Sequence, residues 1–581
     1  MNELGAHAVA VERDVTMRAR DGVALASDVY RPDGDGPYPV LLRRTPYGKS
    51  LNDLAADPNE AQFFASHGYI VVVQDTRGRF ASEGVFYPFI HEAEDGYDAV
   101  EWAATLPGST GDVGMFGQSY GALCQYSTAP LRPPHLRTAV PVSGPTSYYL
   151  NSAYHQGVLN LAWTLTYLVS LAFETAERTG QPELVPMLQE LLIDPAVRFG
   201  ALKPEEYRRL PLTSWADRLG GAAPFLADIL GHATDGPYWW SSDFRRHVYN
   251  VAIPMLHVGS WYDEFQEDSL LMYEDISAKA TDPAARDGQA LLMGPWAHLL
   301  PYFVPTSTGT GDIDFGPEAL IDLHAIELAW FASHLGGTTD AVPCASPVRI
   351  FVTGENRWRD EQEWPLARAV PTSWYLRGDD SGAGGALSQD APGDEPPGRY
   401  RYDPDDPVPT RGGHFLGAGC GVADQRPIEE RDDVLVFTSE PLAADLEVTG
   451  HVGVELFAAS SAPDTDFVVT IADVRPDGYS HNLVEGVVRA RYRESLMYPT
   501  LIEPGRAYRY DIAMPALSHV LFAGHRLRVD VTSSCFPRWD RNPNTGRPFG
   551  TDADTVAADQ TIFHDRDRPS RVVLPVVPRA I

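Results

Sequence analysis

The sequence has few cysteines, only three lysines and no long uninterrupted hydrophobic run. The four cysteines are too far apart for a disulfide framework or a closely spaced zinc site, and they fit a reducing compartment: Cys124, Cys344, Cys420 and Cys535. The chain has 46 lysine and arginine residues against 79 aspartate and glutamate residues, which gives a net charge of −33. No cluster of basic residues stands out against this acidic background. Because so acidic a surface repels phosphate backbones and anionic lipid, we expect no nucleic-acid partner and no membrane.

The most apolar stretch, residues 158–173, is shorter than the roughly 20 residues that a membrane span needs. It also contains Asn160 among its apolar residues, so we predict a buried helix. The N-terminal residues lack the basic-then-apolar layout of a secretion signal, and we therefore expect a cytoplasmic location.

Three parts follow one another along the 581 residues. Strand-like and helix-like runs alternate in residues 1–147 and 250–346, which predicts an open, mostly parallel α/β sheet. Residues 148–249 are almost all helical and are interpreted as a cap inserted between two strands. Residues 347–581 carry many short β-like runs punctuated by glycine, proline and aspartate, which favours a β sandwich or jelly roll. Within this third part, residues 378–413 are predicted to form a long loop.

The segment VGMFGQSYGALCQY, residues 113–126, places Ser119 between an apolar strand and a helix. This is the context of a G-x-S-x-G nucleophile elbow, in which small residues allow a sharp turn that lifts the serine hydroxyl out of the sheet. The helix N-terminus behind the serine favours a developing negative charge. The motif alone is also compatible with a turn of no chemical role.

A serine nucleophile needs a base that is held by an acid, and both come later in the chain after strand ends. Asp263 follows the strand-like run IPMLHVGSWY, and His298 follows ALLMGPWA. Ser119, Asp263 and His298 are therefore predicted to form a catalytic triad. The predicted fold is an α/β-hydrolase core with a helical cap insertion and a C-terminal β jelly-roll domain.

The motifs RTPYGK, DTRGRFASEG, GQSYG, GSWYDEF and GPWAH, in this order along the chain, resemble those of the cocaine esterase / X-prolyl dipeptidyl aminopeptidase family of serine hydrolases. The likeness continues through VRIFVTGENRWRDEQEWP and SSCFPRWDRNPNTG, so it covers essentially the whole chain. The resemblance implies the same three parts. It also implies an oxyanion hole made by the Tyr47 hydroxyl and the Tyr120 backbone N–H.

The chain departs from the family pattern directly after the serine. Family members usually carry glycine three places after the nucleophile, whereas this chain has Gly121 two places after and Ala122 at the third. We expect alanine to preserve helix–strand packing and the elbow geometry to differ slightly.

The resemblance predicts hydrolysis of carboxylic esters, with activated amides as a further substrate class. Phe265 matches the apolar residue of the esterase branch, and Trp163 is a candidate pocket residue of the cap. Glu264 and Glu267 are also compatible with a substrate that carries an amine, because related enzymes that act on α-amino acid esters and β-lactams anchor the substrate ammonium with carboxylates. An X-Pro dipeptidyl-peptidase is a second alternative, and a silent jelly-roll binding protein is a remote third. A homodimer is left open.

Other acidic groups are interpreted as structural. Asp75 and Arg77 are predicted to form an ion pair, and Glu92, Asp95 and Asp98 to lie on a solvated helix face. No metal-ligand motif or nucleotide-binding loop is present, so we expect no cofactor and no metal.

Overall fold

A computed structural model describes residues 5, 7–50, 59–198, 200–298, 308–336, 346–379, 382–416 and 419–579. Cys344 lies outside these residues. Strands and helices alternate through the first part of the chain: β1 (Val9–Arg18), β2 (Ala24–Pro32), β3 (Tyr38–Thr45), α1 (Glu60–Ser66), β4 (Ile70–Asp75), α2 (Glu92–Ala104), β5 (Ser109–Gln118), α3 (Tyr120–Thr128) and β6 (Leu136–Val142).

A mainly helical segment follows β6. Its elements are β7 (Tyr154–His155), β8 (Val158–Leu159), α4 (Leu161–Arg178), α5 (Leu184–Leu191), α6 (Pro204–Tyr207), α7 (Ser214–Leu219), α8 (Phe225–Gly231) and α9 (Pro237–Trp240). The apolar stretch over residues 158–173 forms most of α4, and two thirds of the residues of that helix are buried. Among the described residues, no helix combines the length and the apolar character that crossing a membrane requires.

The alternation then resumes. Its elements are β9 (Leu256–Tyr262), α10 (Gln266–Lys279), α11 (Pro283–Asp287), β10 (Ala290–Ala297), β11 (Gly309–Thr310), β12 (Ile313–Asp314), α12 (Leu323–Leu335), β13 (Val348–Val352) and β14 (Arg357–Glu361).

A ten-stranded mixed sheet joins these two stretches in the order β1-β2-β4-β3-β5-β6-β9-β10-β13-β14. The strands from β4 to β13 along this order pair in parallel. Both faces are covered, since Leu41 and Phe116 pack toward α1 and α12 while Leu42 and Met115 pack on the opposite face. Because β6 pairs with β9, the helical segment is inserted between two neighbouring strands, above the carboxyl ends of the parallel strands.

The sheet continues past residue 347, the predicted start of the third part. Val348 and Ile350 of β13 are fully buried beside β10, and β14 then pairs antiparallel with β13. The alternating pattern of β13 is compatible with either domain, and its pairing with β10 assigns it to the first sheet.

The C-terminal part is β-rich and forms a second, twelve-stranded sheet. Its elements are β15 (Val370–Gly378), β16 (Gly384–Ser388), β17 (Gly398–Tyr402), α13 (Arg426–Glu429), β18 (Leu435–Ser439), β19 (Leu446–Ser460), β20 (Asp466–Val474), β21 (Ser480–Arg489), β22 (Tyr508–Leu521), β23 (Arg526–Thr532), β24 (Ala558–Asp565), β25 (Arg568–Pro569) and β26 (Arg571–Val577). It has its own hydrophobic core, which includes Phe437, Leu456 and Val529.

The predicted loop over residues 378–413 is wrong in part, because β16 and β17 lie within it. Gly384 and Gly385 adopt φ of +145° and +154°, and a Cβ there would lie 2.2 Å from the Val436 carbonyl oxygen and 2.0 Å from that of Arg377. The glycines that indicated a loop are the residues that let the neighbouring backbones approach and pair.

Candidate active site

Ser119 lies on a strained turn between β5 and α3. Its φ of 59° and ψ of −121° fall in a region that non-glycine residues rarely occupy. The backbone holds this conformation from both sides: the Ser119 N–H donates to the Val142 carbonyl at 2.9 Å, and its carbonyl accepts from the Ala122 N–H at 3.0 Å. The turn therefore has the strand–serine–helix arrangement of a nucleophile elbow.

The departure from the family pattern after the serine has a packing explanation. Gly144, two residues after β6, lies against the first turn of α3. A Cβ at Gly144 would stand 2.3 Å from the Ala122 Cβ and 2.7 Å from the Ser119 carbonyl oxygen. Ala122 fits because Gly144 has no side chain. A Cβ at Gly121 would have the Arg44 carbonyl oxygen as its nearest neighbour, at 3.7 Å.

Asp263 and His298 follow the ends of two paired strands. In the parallel register Ala297 of β10 lies opposite Tyr262 of β9, so the next residue of each strand projects at the same sheet edge. The His298 Nδ1 lies 2.8 Å from the Asp263 Oδ1, and both side chains are buried. This contact makes Nδ1 the protonated nitrogen and leaves Nε2 as the nitrogen that can take a proton from a hydroxyl.

A second contact ties His298 to the elbow. The Gln118 side-chain amide, one residue before Ser119, donates to the His298 carbonyl oxygen. Since β5, β6, β9 and β10 are successive neighbours in the sheet, the three predicted triad residues all follow carboxyl ends at one edge.

Tyr47 and Tyr120 lie beside each other at the same edge, with their rings 6.5 Å apart in an edge-to-face arrangement. Tyr120 is the first residue of α3, where backbone N–H groups have no acceptor within the helix. Its hydroxyl points away into the core, donating to the Glu92 Oε1 at 2.9 Å and accepting from the Phe89 N–H at 3.0 Å.

Tyr167 of α4 lies beside Tyr47. Burial raises the pKa of Tyr167, and the nearby hydroxyls of Tyr47 and Tyr120 act in the same direction. The side chains of Tyr47, Tyr120 and Tyr167 therefore form one group of phenol rings at this edge of the sheet.

Phe265 and Trp163 belong to one continuous run of aromatic rings. Phe265 lies edge-to-face with His298 at 5.4 Å and with Trp163 at 6.1 Å. Trp163 stacks on Tyr167 at 5.2 Å, and Tyr167 contacts Tyr47. An apolar wall therefore links the predicted base to the predicted oxyanion donor.

The acidic residues directly after Asp263 are engaged by the protein itself. The Glu264 carboxylate accepts from the Asn160 Nδ2 at 2.8 Å and from the Leu416 N–H at 3.1 Å. Burial raises the pKa of Glu264 to about 7, against the opposing charge of Arg538. The Glu267 Oε1 accepts from the Ala516 N–H at 2.7 Å.

Two predictions about other acidic residues are wrong. Arg77 pairs with Asp95 at 2.6 Å and with Asp21 at 2.7 Å, whereas Asp75 accepts from the Lys49 N–H at 2.6 Å. Glu92 and Asp95 are buried rather than solvated, and Arg44 lies 2.8 Å from the Glu92 carboxylate. The arginines that cover this face of α2 are Arg44 of β3 and Arg77 of the loop after β4. Because they lie outside α2, the spacing of residues within that helix does not predict them.

Metal-ligating side chains gather in two places among the described residues. One group is Glu60, His324 and Glu327, and the other is Asp473, His481 and His519. Neither includes a residue of the predicted triad. Local sequence spacing does not indicate either group, because the first combines residues of α1 and α12 and the second combines residues of β20, β21 and β22.

Comparison with known proteins agrees with this architecture over nearly the whole chain. A model described as X-Pro dipeptidyl-peptidase (S15 family) matches residues 21–300, and one described as X-Pro dipeptidyl-peptidase C-terminal non-catalytic domain matches residues 342–573. Cocaine esterase from Rhodococcus sp. (strain MB1 Bresler) is 38% identical over 592 residues, covering 98% of this chain and 99% of that protein.

Solved structures give the same fold. An α-amino acid ester hydrolase superposes with a TM-score of 0.79 at 26% identity, covering 99% of this chain and 98% of that one. An aminopeptidase from a Thaumarchaeota archaeon superposes with a TM-score of 0.81 at 24% identity, covering 99% and 97%.

Replacing Gly144 tests the packing behind the elbow. We expect Gly144→Ala to displace the Ser119 turn and to lower both the Tm and the rate of p-nitrophenyl ester hydrolysis, because its Cβ collides with Ala122. Gly121→Ala is the matched control and should retain both, since its Cβ has room. Equal behaviour of the two variants would contradict this account. Partial recovery of activity in Gly144→Ala on adding Ala122→Gly would support it, because that change removes the closer of the two clashes.

The buried Glu264 gives a pH-dependent stability difference. Its pKa is raised in the folded state, so its contribution to stability is present at low pH and is lost as pH rises through about 7. We expect the Tm of the unmodified protein, relative to Glu264→Gln, to fall between about pH 5 and about pH 8. Scanning calorimetry measures this difference, with Glu267→Gln as the control. A constant Tm difference for Glu264→Gln would contradict the assignment.

Proposed function

Because the chain belongs to the cocaine esterase / X-Pro dipeptidyl-peptidase family of serine hydrolases, we propose that it hydrolyses carboxylic esters through an acyl-serine intermediate. The observation that carries the proposal is the 2.8 Å contact between the His298 Nδ1 and the Asp263 Oδ1, at the same sheet edge as the strained Ser119 turn. These are the parts that acyl transfer to water requires.

In the proposed reaction the Ser119 Oγ attacks the ester carbonyl while the His298 Nε2 removes its proton. Asp263 orients the imidazole and stabilises the imidazolium that forms. The Tyr47 hydroxyl and the Tyr120 N–H would donate to the oxyanion of the tetrahedral intermediate. His298 then returns its proton to the leaving alcohol. Water, activated by the same imidazole, cleaves the acyl-serine and regenerates the Ser119 hydroxyl.

The surroundings of the triad favour an apolar or aromatic substrate group. The run of rings through Phe265 and Trp163 offers apolar surface beside His298. The carboxylates of Glu264 and Glu267 already accept protein N–H groups, which argues against their serving as an anchor for a substrate ammonium. We therefore propose simple esters as the preferred substrates, ahead of α-amino acid esters and X-Pro peptides. Activated amides, homodimer assembly and a cytoplasmic location stay predictions.

Removing the nucleophile or the base tests the reaction class. We expect Ser119→Ala and His298→Ala each to lower kcat for p-nitrophenyl acyl esters by about 10⁴-fold or more, because the two groups act as a unit. The circular dichroism spectrum should be unchanged. In the unmodified protein, p-nitrophenyl esters should turn over faster than X-Pro p-nitroanilides.

Three results would count against this proposal. Activity retained in either variant would exclude the assigned triad. Faster hydrolysis of the anilide would favour a dipeptidyl-peptidase. No turnover of either substrate class, together with no labelling of Ser119 by a fluorophosphonate probe, would favour a binding protein.

Tyr47→Phe tests the oxyanion hole. Removal of one preorganised donor typically raises the barrier by about 3 kcal/mol, so kcat should fall by about 100-fold or more while KM changes little. Tyr167→Phe is the matched control, because it removes the neighbouring hydroxyl but leaves the Tyr47 donor in place. It should have a much smaller effect on kcat. An unchanged kcat in Tyr47→Phe would remove this hydroxyl from the proposed mechanism.

A further inference from the structure

A cavity of about 290 Å³ lies between the ten-stranded sheet and the C-terminal sheet. The ten-stranded part contributes Gly354 and Asn356 from the turn between β13 and β14. The C-terminal part contributes Asp473, His481 and His519. No residue of the predicted triad lines it. The cavity is therefore separate from the site proposed for ester hydrolysis.

Asp473, His481 and His519 form a compact buried cluster in this cavity. Asp473 of β20 lies directly opposite His481 of β21 in the antiparallel register, and His519 comes from β22. Each residue is 2% exposed. One ligand-type atom from each lies within 4.8 Å of those from the other two. A carboxylate and two imidazoles at such separations can ligate a single ion after small side-chain adjustments.

His519 lies between Thr353 and Asp473. Its Nδ1 is 2.8 Å from the Thr353 Oγ1, and its Nε2 is 3.2 Å from the Asp473 Oδ2. The Thr353 Oγ1 can donate to the Ser518 carbonyl, 2.9 Å away, and accept from the His519 Nδ1. In that tautomer the His519 Nε2 would direct its lone pair toward Asp473, which is the orientation that a ligand to a shared ion requires.

Neighbouring groups support the cluster from outside. The Tyr262 hydroxyl lies 3.0 Å from the His481 Nε2 and fixes the orientation of that ring. The His525 Nδ1 lies 2.8 Å from the Asp473 Oδ1, and the ring also lines the cavity. Such outer partners orient ligands in known metal sites. The guanidinium of Arg475, which also lines the cavity, lies 4.9 Å from the centroid of the Tyr479 ring.

We propose that Asp473, His481 and His519 bind one divalent transition-metal ion, most suitably Zn²⁺. Two imidazoles with one carboxylate match the donor preference of zinc, whereas Ca²⁺ and Mg²⁺ require mainly oxygen ligands. Water from the cavity would complete the coordination. All three ligands belong to the C-terminal part, and their outer partners Thr353 and Tyr262 belong to the ten-stranded part.

The ion would act as a clamp between the two parts. It would hold β20, β21 and β22 together and, through His519 and His481, engage Thr353 after β13 and Tyr262 at the end of β9. Tyr262 directly precedes Asp263, so the clamp would also steady the strand end that carries the predicted catalytic acid. Its effect is therefore expected on thermal stability, and no chemical step is assigned to it.

The test is zinc binding by the full chain after chelator treatment and dialysis. We expect calorimetric titration with ZnCl₂ to give about one ion per chain and a higher Tm in the loaded protein. His519→Ala should weaken this binding by about 100-fold and remove the Tm increase. His324→Ala is the matched control, because it removes a buried histidine from the other metal-ligating group. It should bind zinc like the unmodified protein.

A chain that binds no zinc would overturn the proposal and leave His519 and Asp473 as a hydrogen-bonded pair. Binding that is unchanged in His519→Ala, or that is lost in His324→Ala instead, would overturn it equally. If His519→Ala fails to fold, Asp473→Asn replaces it, since the amide keeps the shape of the side chain and removes its charge. Zinc bound to Asp473→Asn as tightly as to the unmodified protein would then reject the site.

Discussion

The hydrogen bond between the His298 Nδ1 and the Asp263 Oδ1 is the contact on which the proposed chemistry depends. Asp263 is fully buried, and its Oδ2 has no hydrogen-bond partner among the described residues. A carboxylate in this position is poorly solvated, so a positive charge on His298 would stabilise it strongly. In the proposed reaction, this carboxylate would stabilise the positive charge that forms on the His298 imidazole.

All three parts of the chain hold this hydrogen bond in place. The sheet supplies the register that puts Asp263 and His298 side by side. The cap contributes Asn160, which binds the Glu264 carboxylate one residue after the acid. The C-terminal part contributes the Leu416 N–H to the same carboxylate. The site is therefore a product of packing between parts, and its geometry would be sensitive to changes far from the triad in sequence.

Local sequence was most informative where chemistry follows a strand end. The apolar runs before Ser119, Asp263 and His298 predicted the strands, and parallel pairing then requires that the following residues meet at one edge. The resemblance to the cocaine esterase / X-prolyl dipeptidyl aminopeptidase family is confirmed by 38% identity over 98% of the chain. The α/β-hydrolase fold with a β-rich C-terminal domain is confirmed by the solved structures. The division into numbered domains and the roles of the site residues stay predictions.

Sequence was least informative where partners come from distant segments. Helical spacing placed Glu92 and Asp95 on a solvated face, but Arg44 and Arg77 bury them. Glycines suggested a loop at β16, although their lack of side chains is what permits pairing there. The cluster around His519 is likewise assembled by sheet register, which no local motif records.

Active-site labelling with a fluorophosphonate, followed by peptide mass spectrometry, tests the central claim most directly. The account predicts one adduct, on the peptide that contains Ser119, and a rate of labelling that falls by about 10⁴-fold in Asp263→Asn, where the imidazole loses its negative partner. An adduct on another residue, or a labelling rate that Asp263→Asn leaves unchanged, would contradict it.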